Sequence, residues 1–189
     1  MELAGKVLVA MPAMEDPRFV RSVVLICAHG PDSAMGLILN KPSQELNFDG
    51  LLRHLGISAG EDCREIRVHY GGPVERGRGF VLHSADWLGG AEKGDSTMMA
   101  VPGGYHLTAT LDILEAMARG EGPEQALLAL GYAGWGPGQL EGEILRNDWL
   151  IADVSADLVF QAEDEAKWVM ALKALGIDPL VLSPTAGRA

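Results

Sequence analysis

The sequence predicts an α+β fold in a single domain spanning residues 1–189, with a tail from about residue 178. Three observations predict it. Short apolar, β-branched segments bounded by Gly and Pro dominate the first half. Helical periodicity gathers in the second half. The strands follow one another through hairpin signals instead of alternating with helices, which argues against a doubly wound sheet. With 189 residues, 48% of them apolar, the chain has the length of one domain. A chain of this size buries roughly 70% of its unfolded surface, so its core needs neither disulfide nor metal.

The elements follow in order. Lys6 to Met11 is an apolar run ended by Pro12, and Ser22 to His29 is a second strand rich in Val and Ile. The cluster Gly30-Pro31-Asp32-Ser33 turns the chain into a third strand, Met35 to Lys41, closed by Pro42. Asn47 can cap a helix through Leu55, with Gly56 as its left-handed stop. Arg64 to Tyr70 alternates with period two, as a half-buried strand does. Gly71-Gly72-Pro73-Val74 interrupts it, and Gly79 to His83 resumes extended structure. Asp86 to Ser96 reads as a loop, and Met98 to Val101 as a strand ended by Pro102-Gly103-Gly104.

Thr108 or Thr110 then caps a helix carrying Leu111, Leu114, Met117 and Ala118 on one face, stopped by Gly120. Pro123 suits the first turn of a helix holding Leu127 and Leu130, stopped by Gly131. Gly138 to Arg146 reads as a short helix, Trp149 to Val154 as a strand, and Asp164 to Leu175 as a last helix before Gly176. No internal repeat or low-complexity tract divides the chain.

Charge excludes several functions. Fifteen Lys and Arg oppose 26 Asp and Glu, a net charge of −11. Residues 1–80 carry nine basic and ten acidic side chains, and residues 81–189 carry six and sixteen, so the second half holds −10 of the total. Such a surface repels phosphate backbones and anionic lipid. The basic cluster of Arg53, Arg64, Arg67, Arg76 and Arg78 is interleaved with Glu61, Asp62, Glu65 and Glu75, as a solvated, ion-paired surface would be. Direct nucleic-acid binding is therefore not expected. The N-terminus lacks the pattern of a secretory signal, and no apolar stretch approaches the about 20 residues of a membrane span. Two cysteines make no disulfide framework. A cytoplasmic protein with reduced thiols is expected.

The sequence holds no Gly-x-Ser-x-Gly elbow, P-loop, His-Glu-x-x-His or Cys-x-x-Cys motif, so no catalytic, metal or cofactor set is assigned. Cys27 and His29 lie two apart on one strand and share a face, which suits an activated thiol, half a metal site, or a buried cysteine beside a hydrogen-bonded histidine. His83, beside Ser84 and Asp86, can serve as a base or as a structural group bonded to a loop carbonyl. Asn40 and Lys41 sit where a strand leaves the sheet, a usual place for binding groups. The densest unusual stretch runs from Gly131 to Ile144. Its four glycines and one proline in residues 131–138 predict a tight corner. Tyr132 and Trp135, with Gln139, Glu141 and Glu143, make that corner a candidate pocket wall.

At these residues the chain resembles the AlgH/YqgE family of bacterial proteins. The matching tracts are Pro12-Ala13-Met14 with Asp16-Pro17-Arg18-Phe19, and Ser22-Val23-Val24 leading to Cys27-Ala28-His29. They continue through Gly36 to Pro42, Gly71-Gly72-Pro73-Val74, Arg78 to His83, Gly131 to Ile144 and Gly176-Ile177-Asp178-Pro179. The resemblance implies a bent, partly bifurcated sheet, mixed or antiparallel, approaching a pseudo-barrel and flanked by helices. It also transfers a transcriptional-regulator label with no assigned reaction. Two positions depart from the pattern. Gly142 stands where relatives usually carry a longer residue, which weakens its helix by about 0.5–1 kcal/mol relative to Ala. Arg188 stands where a tail histidine is frequent.

The leading functional expectation is a non-enzymatic regulatory or adaptor module that binds a protein or small-molecule partner. Its candidate binding residues are Asn40, Lys41, Gly71, Gly72, Pro73, His83, Trp135, Gln139 and Glu141. The alternative is an enzyme in which Asn40, His83, Gln139 and Glu141 converge on one polar pocket. Trp135 is expected to line a groove near Gly71-Gly72-Pro73 and the Asn40-Lys41-Pro42 exit.

Overall fold

The computed structural model describes residues 2–89 and 98–182. Parts of the expected loop Asp86–Ser96 and of the expected tail, Arg188 included, lie outside those residues. Among the described residues nine strands form one sheet: β1 Lys6–Ala10, β2 Val23–His29, β3 Ala34–Ile38, β4 Val68–Tyr70, β5 Val74–Ser84, β6 Met98–Val101, β7 Tyr105–Thr108, β8 Ala126–Trp135 and β9 Trp149–Asp153. The helices described beside them are α1 Phe48–His54, α2 Leu111–Ala118, α3 Gln139–Leu145 and α4 Asp164–Ala174, with a π-type turn at Asp157–Gln161. The strand order is β6-β7-β5-β8-β3-β2-β1-β9, with β4 parallel to β8 and every other pair antiparallel. The sheet curls into a half-barrel flanked by helices, an α+β fold.

Local signals set several boundaries. The Asn47 side chain accepts the amide of Gly50 at 2.8 Å and starts α1, while Gly56, Gly120 and Gly176 end helices with positive φ. The β2–β3 hairpin closes through Gly30–Ser33, where the Gly30 amide donates to the Ser33 carbonyl.

The helix expected from Pro123 to Gly131 is instead the first half of β8. Leu127 and Ala129 enter the main core, whereas Leu128 enters a second cluster beneath α1 and α2. A strand buried on both faces loses its polar alternation and reads like a short helix. The expected corner at 131–138 is likewise strand as far as Trp135, where β8 ends. Strands therefore extend well into the second half of the chain. Strand lengths differ too: β4 covers only the end of Arg64–Tyr70, β3 stops at Ile38, and β5 begins at Val74.

Gly131 is the joint of the sheet. Before it, β8 pairs with β5 and β4; after it, Ala133, Gly134 and Trp135 pair with β3. The backbone turns there with φ 74°. A Cβ on Gly131 would lie 2.5 Å from the Gly72 carbonyl oxygen, and one on Gly71 would lie 2.2 Å from the Gly131 oxygen. Two glycine-rich tracts thus touch backbone to backbone. The Ile38 amide donates to the Gly71 carbonyl and ties β3 to the same point.

Candidate functional site

Trp135 ends β8 and stands between two clefts. The residue is 5% exposed, and its Nε1 donates to Glu143 Oε2 at 2.9 Å. Trp149 Nε1 donates to the same oxygen at 2.9 Å, and Gln139 Nε2 to Glu143 Oε1 at 3.0 Å. One turn of α3 spaces Gln139 and Glu143 onto one face, so this carboxylate fixes both indoles. Trp149 also meets Phe19 edge to face, with centroids 5.6 Å apart.

The larger cleft, about 600 Å³, runs between the Ala13–Phe19 segment, α3 and the ends of β8 and β9. Met14, Phe19, Trp135 and Trp149 line its floor, and Arg18 and Arg146 stand at its rim. Each arginine is paired, Arg18 with Asp16 and Arg146 with Asp148. The second cleft, about 530 Å³, shares Val74, Gly134 and Trp135 with the first. Its walls come from β3, β5, β6, β7 and β8, and they are mainly apolar.

The other sequence candidates divide among different surroundings. Pro73 and Gln139 line the larger cleft with Trp135. Gly71 and Gly72 are packed against the β8 backbone. Asn40 accepts the Val23 amide at 2.8 Å and donates to the Arg21 carbonyl at 2.9 Å, bracing a residue at φ 53°. Asn40 and Lys41 line a separate cleft with Arg21, Asp164 and Trp168. Among the described residues, Trp135 and the Asn40-Lys41-Pro42 exit line different clefts instead of the one groove expected. Trp135 pairs with Ala34 at the start of β3, and six residues of extended chain separate Ala34 from Asn40 by roughly 20 Å.

His83 is fully buried. Its Nδ1 lies 2.8 Å from the Ser84 carbonyl, to which it donates, leaving Nε2 to accept from the Thr108 hydroxyl at 2.8 Å. Burial lowers its pKa, which favours this neutral form. Glu141 pairs with His29 at 2.8 Å and so joins α3 to the end of β2. Asn40, His83, Gln139 and Glu141 share no cleft among the described residues.

Cys27 lies in the core and His29 turns to Glu141, so the two form no pair. Burial pushes the Cys27 thiol up to about 12. A thiol reagent at neutral pH is expected to modify the partly exposed Cys63 in the folded protein and Cys27 only after unfolding. A native-state Cys27 reacting faster than an unfolded thiol contradicts this, and peptide mapping of the labelled protein reads it.

Sequence reasoning missed an ionic cluster under α4. Lys167, 0% exposed, donates to the Leu39 carbonyl at 2.7 Å and the Val159 carbonyl at 3.1 Å. It also meets Asp164 at 3.0 Å, and Asp164 contacts the buried His69 at 2.9 Å. Arg67 donates to the Phe160 and Ala162 carbonyls around the π-type turn. Burial works against the Asp164 charge, but His69 and Lys167 outweigh it and hold the carboxyl at about 2. The spacing Asp164-x-x-Lys167 looks in sequence like any solvated helix pair. Nothing local announces that this one is covered.

Comparison with known proteins agrees with this geometry over nearly the whole chain. The AlgH-like family model matches residues 7–180. The chain belongs to the AlgH-like family. A UPF0301 protein of Cereibacter sphaeroides (strain ATCC 17029 / ATH 2.4.9) is 58% identical over 189 residues, covering 100% of both chains. A UPF0301 protein of Paracoccus denitrificans (strain Pd 1222) is 55% identical, covering 99% of this chain and 97% of the relative. The solution structure of the AlgH protein from Pseudomonas aeruginosa superposes with a TM-score of 0.78 at 35% identity, covering 100% and 97%. A Corynebacterium diphtheriae protein shares the AlgH-like fold, with a TM-score of 0.70 at 23% identity over 96% and 90% of the chains. No helix among the described residues is long and apolar enough to cross a membrane.

Proposed function

We propose that this AlgH-like chain is a non-catalytic regulatory adaptor of the cytoplasm that engages a protein partner through the cleft of Phe19, Trp135 and Trp149. The observation that carries this reading is the Glu143 carboxylate, which holds both indole N–H groups at 2.9 Å. An aromatic wall fixed before binding loses little side-chain entropy on association. Aromatic and Arg side chains are also the types that dominate interface energetics. The paired rim arginines keep the cleft from being a simple anion trap. The enzyme alternative lacks a comparable support, because its four polar side chains each serve a structural hydrogen bond or ion pair. Regulation through a protein also suits a chain of net charge −11 better than contact with DNA.

The test uses the exposed rim, since replacing Trp135 would damage the core. Arg18→Ala combined with Arg146→Ala is expected to shift the melting temperature by only about 1–2 °C, as surface changes typically do. The same variant should lose a protein captured by the wild type from bacterial lysate, with the loss confirmed by calorimetry on the purified partner. Undiminished affinity for that partner defeats this assignment of the binding face.

A further inference from the structure

The second cleft carries a more specific chemistry. Met35, Phe80, Met99, Leu107, Tyr132 and Trp135 enclose its interior, and its volume of about 530 Å³ falls within the roughly 300–1,000 Å³ of small-molecule sites. The two thioethers are adaptable walls for a flat apolar body. Polar groups concentrate at one side, where β5 departs from its ladder.

That departure is a bulge. Val74 pairs with Tyr132, but the next pair is Gly79 with Leu130, so extra residues of β5 loop out between them. Glu75 begins the bulge with φ 45°, a left-handed conformation in a residue with a Cβ. Such strain persists where surrounding structure imposes it, and it concentrates at ligand clamps. The bulge delivers two opposite charges to the cleft: Glu75 Oε2 lies 3.6 Å from Arg78 Nη1. The Arg78 guanidinium also lies over the Phe80 ring, 5.0 Å from its centroid. Burial raises the pKa of the Tyr132 phenol, and the adjacent Glu75 raises it further, so the hydroxyl remains neutral.

The polar edge therefore carries no net charge and presents an acceptor beside a donor. A carboxylate entering the cleft would meet Glu75, and an ammonium would meet Arg78. A neutral amide edge offers N–H to the first and C=O to the second, while its ring enters the apolar interior. We infer that the cleft between β3, β5, β6, β7 and β8 is a binding site for an uncharged aromatic amide, with the Glu75–Arg78 pair reading the amide edge. Its lining shares Val74, Gly134 and Trp135 with the cleft proposed for the protein partner, but its polar edge of Glu75 and Arg78 lies outside that cleft.

The test titrates the purified protein with three probes that share one naphthalene ring, 2-naphthamide, 2-naphthoate and 2-naphthylmethylamine, by saturation-transfer NMR and fluorescence. Binding of 2-naphthamide is expected to exceed that of either charged probe by about tenfold, the effect of one mismatched polar contact. Ser33→Trp and Ala109→Trp, each placed at an exposed lining residue, should fill the cleft and abolish binding while the protein stays folded. Glu75→Ala should erase the preference for the amide over 2-naphthoate. The inference is overturned if a charged probe binds as well as the amide, if a folded Trp variant binds it undiminished, or if none of the three binds at millimolar concentration.

Discussion

Replacing Gly131 with Ala is expected to remove roughly 2–6 kcal/mol of stability, combining backbone strain of about 1–3 kcal/mol with overpacking of similar size. The Cβ would sit at φ 74° and within 2.9 Å of two carbonyl oxygens, those of Gly72 and Val74. Neither oxygen has a flexible end that can swing aside. Because Gly131 joins the two pairing regions of β8, yielding there means loosening β3 or β5. Gly134→Ala is the control: it lies on the same strand, and its nearest contact would be 3.4 Å, to the Tyr132 ring. Thermal melting should fall by roughly 5–20 °C for Gly131→Ala, at about 2–4 °C per kcal/mol for a chain of this size, and barely move for Gly134→Ala. Equal melting of the two variants would show that the crossing is not the constraint described.

Asp164→Asn is expected to cost about 3–5 kcal/mol, because it leaves the buried Lys167 ammonium without its counter-charge. Lys167→Met in the same chain should recover part of that loss, since no uncompensated cation then remains. A double-mutant cycle in urea reads the coupling, and additive losses would refute it. The same group predicts acid sensitivity. Its carboxyl moves from an ordinary 3.8 to about 2 in the folded protein, so between those values the unfolded chain binds more protons. Its contribution, about 2 kcal/mol on the linkage relation, is complete above pH 4 and disappears as pH falls through 2. Asp164→Asn should flatten that limb of the stability curve.

What could be read from the chain alone was whatever is decided within a few residues. The Asn47 cap, the Gly30–Ser33 turn and the glycine stops of three helices depend on local hydrogen bonds and positive φ, and they stand where the residues place them. The AlgH-like motifs, spread from Pro12 to Pro179, likewise imply the bent α+β architecture. The strand β8 was not legible. Leu127, Leu128 and Ala129 face different clusters, and burial on both sides erases the period that separates strand from helix.

For the candidate site the division is similar. Trp135, Pro73 and Gln139 were singled out by composition, and they do line one cleft. Glu143 was noted only as a polar neighbour, because its partner Trp149 comes from a strand that follows α3. Asn40 and His83 have the side chains of catalytic residues, but their roles are fixed by the Val23 amide and the Thr108 hydroxyl, long-range partners no spacing reveals. The sequence by itself determined caps, turns, charge and kinship, since these rest on neighbours along the chain or on net composition. The tertiary structure alone decided which glycines cross, which lysine is buried and which aromatics share a carboxylate. Those depend on sheet order, which brings together residues 60, 95 or 128 positions apart, and on burial, which turns an ordinary surface pair into a desolvated one.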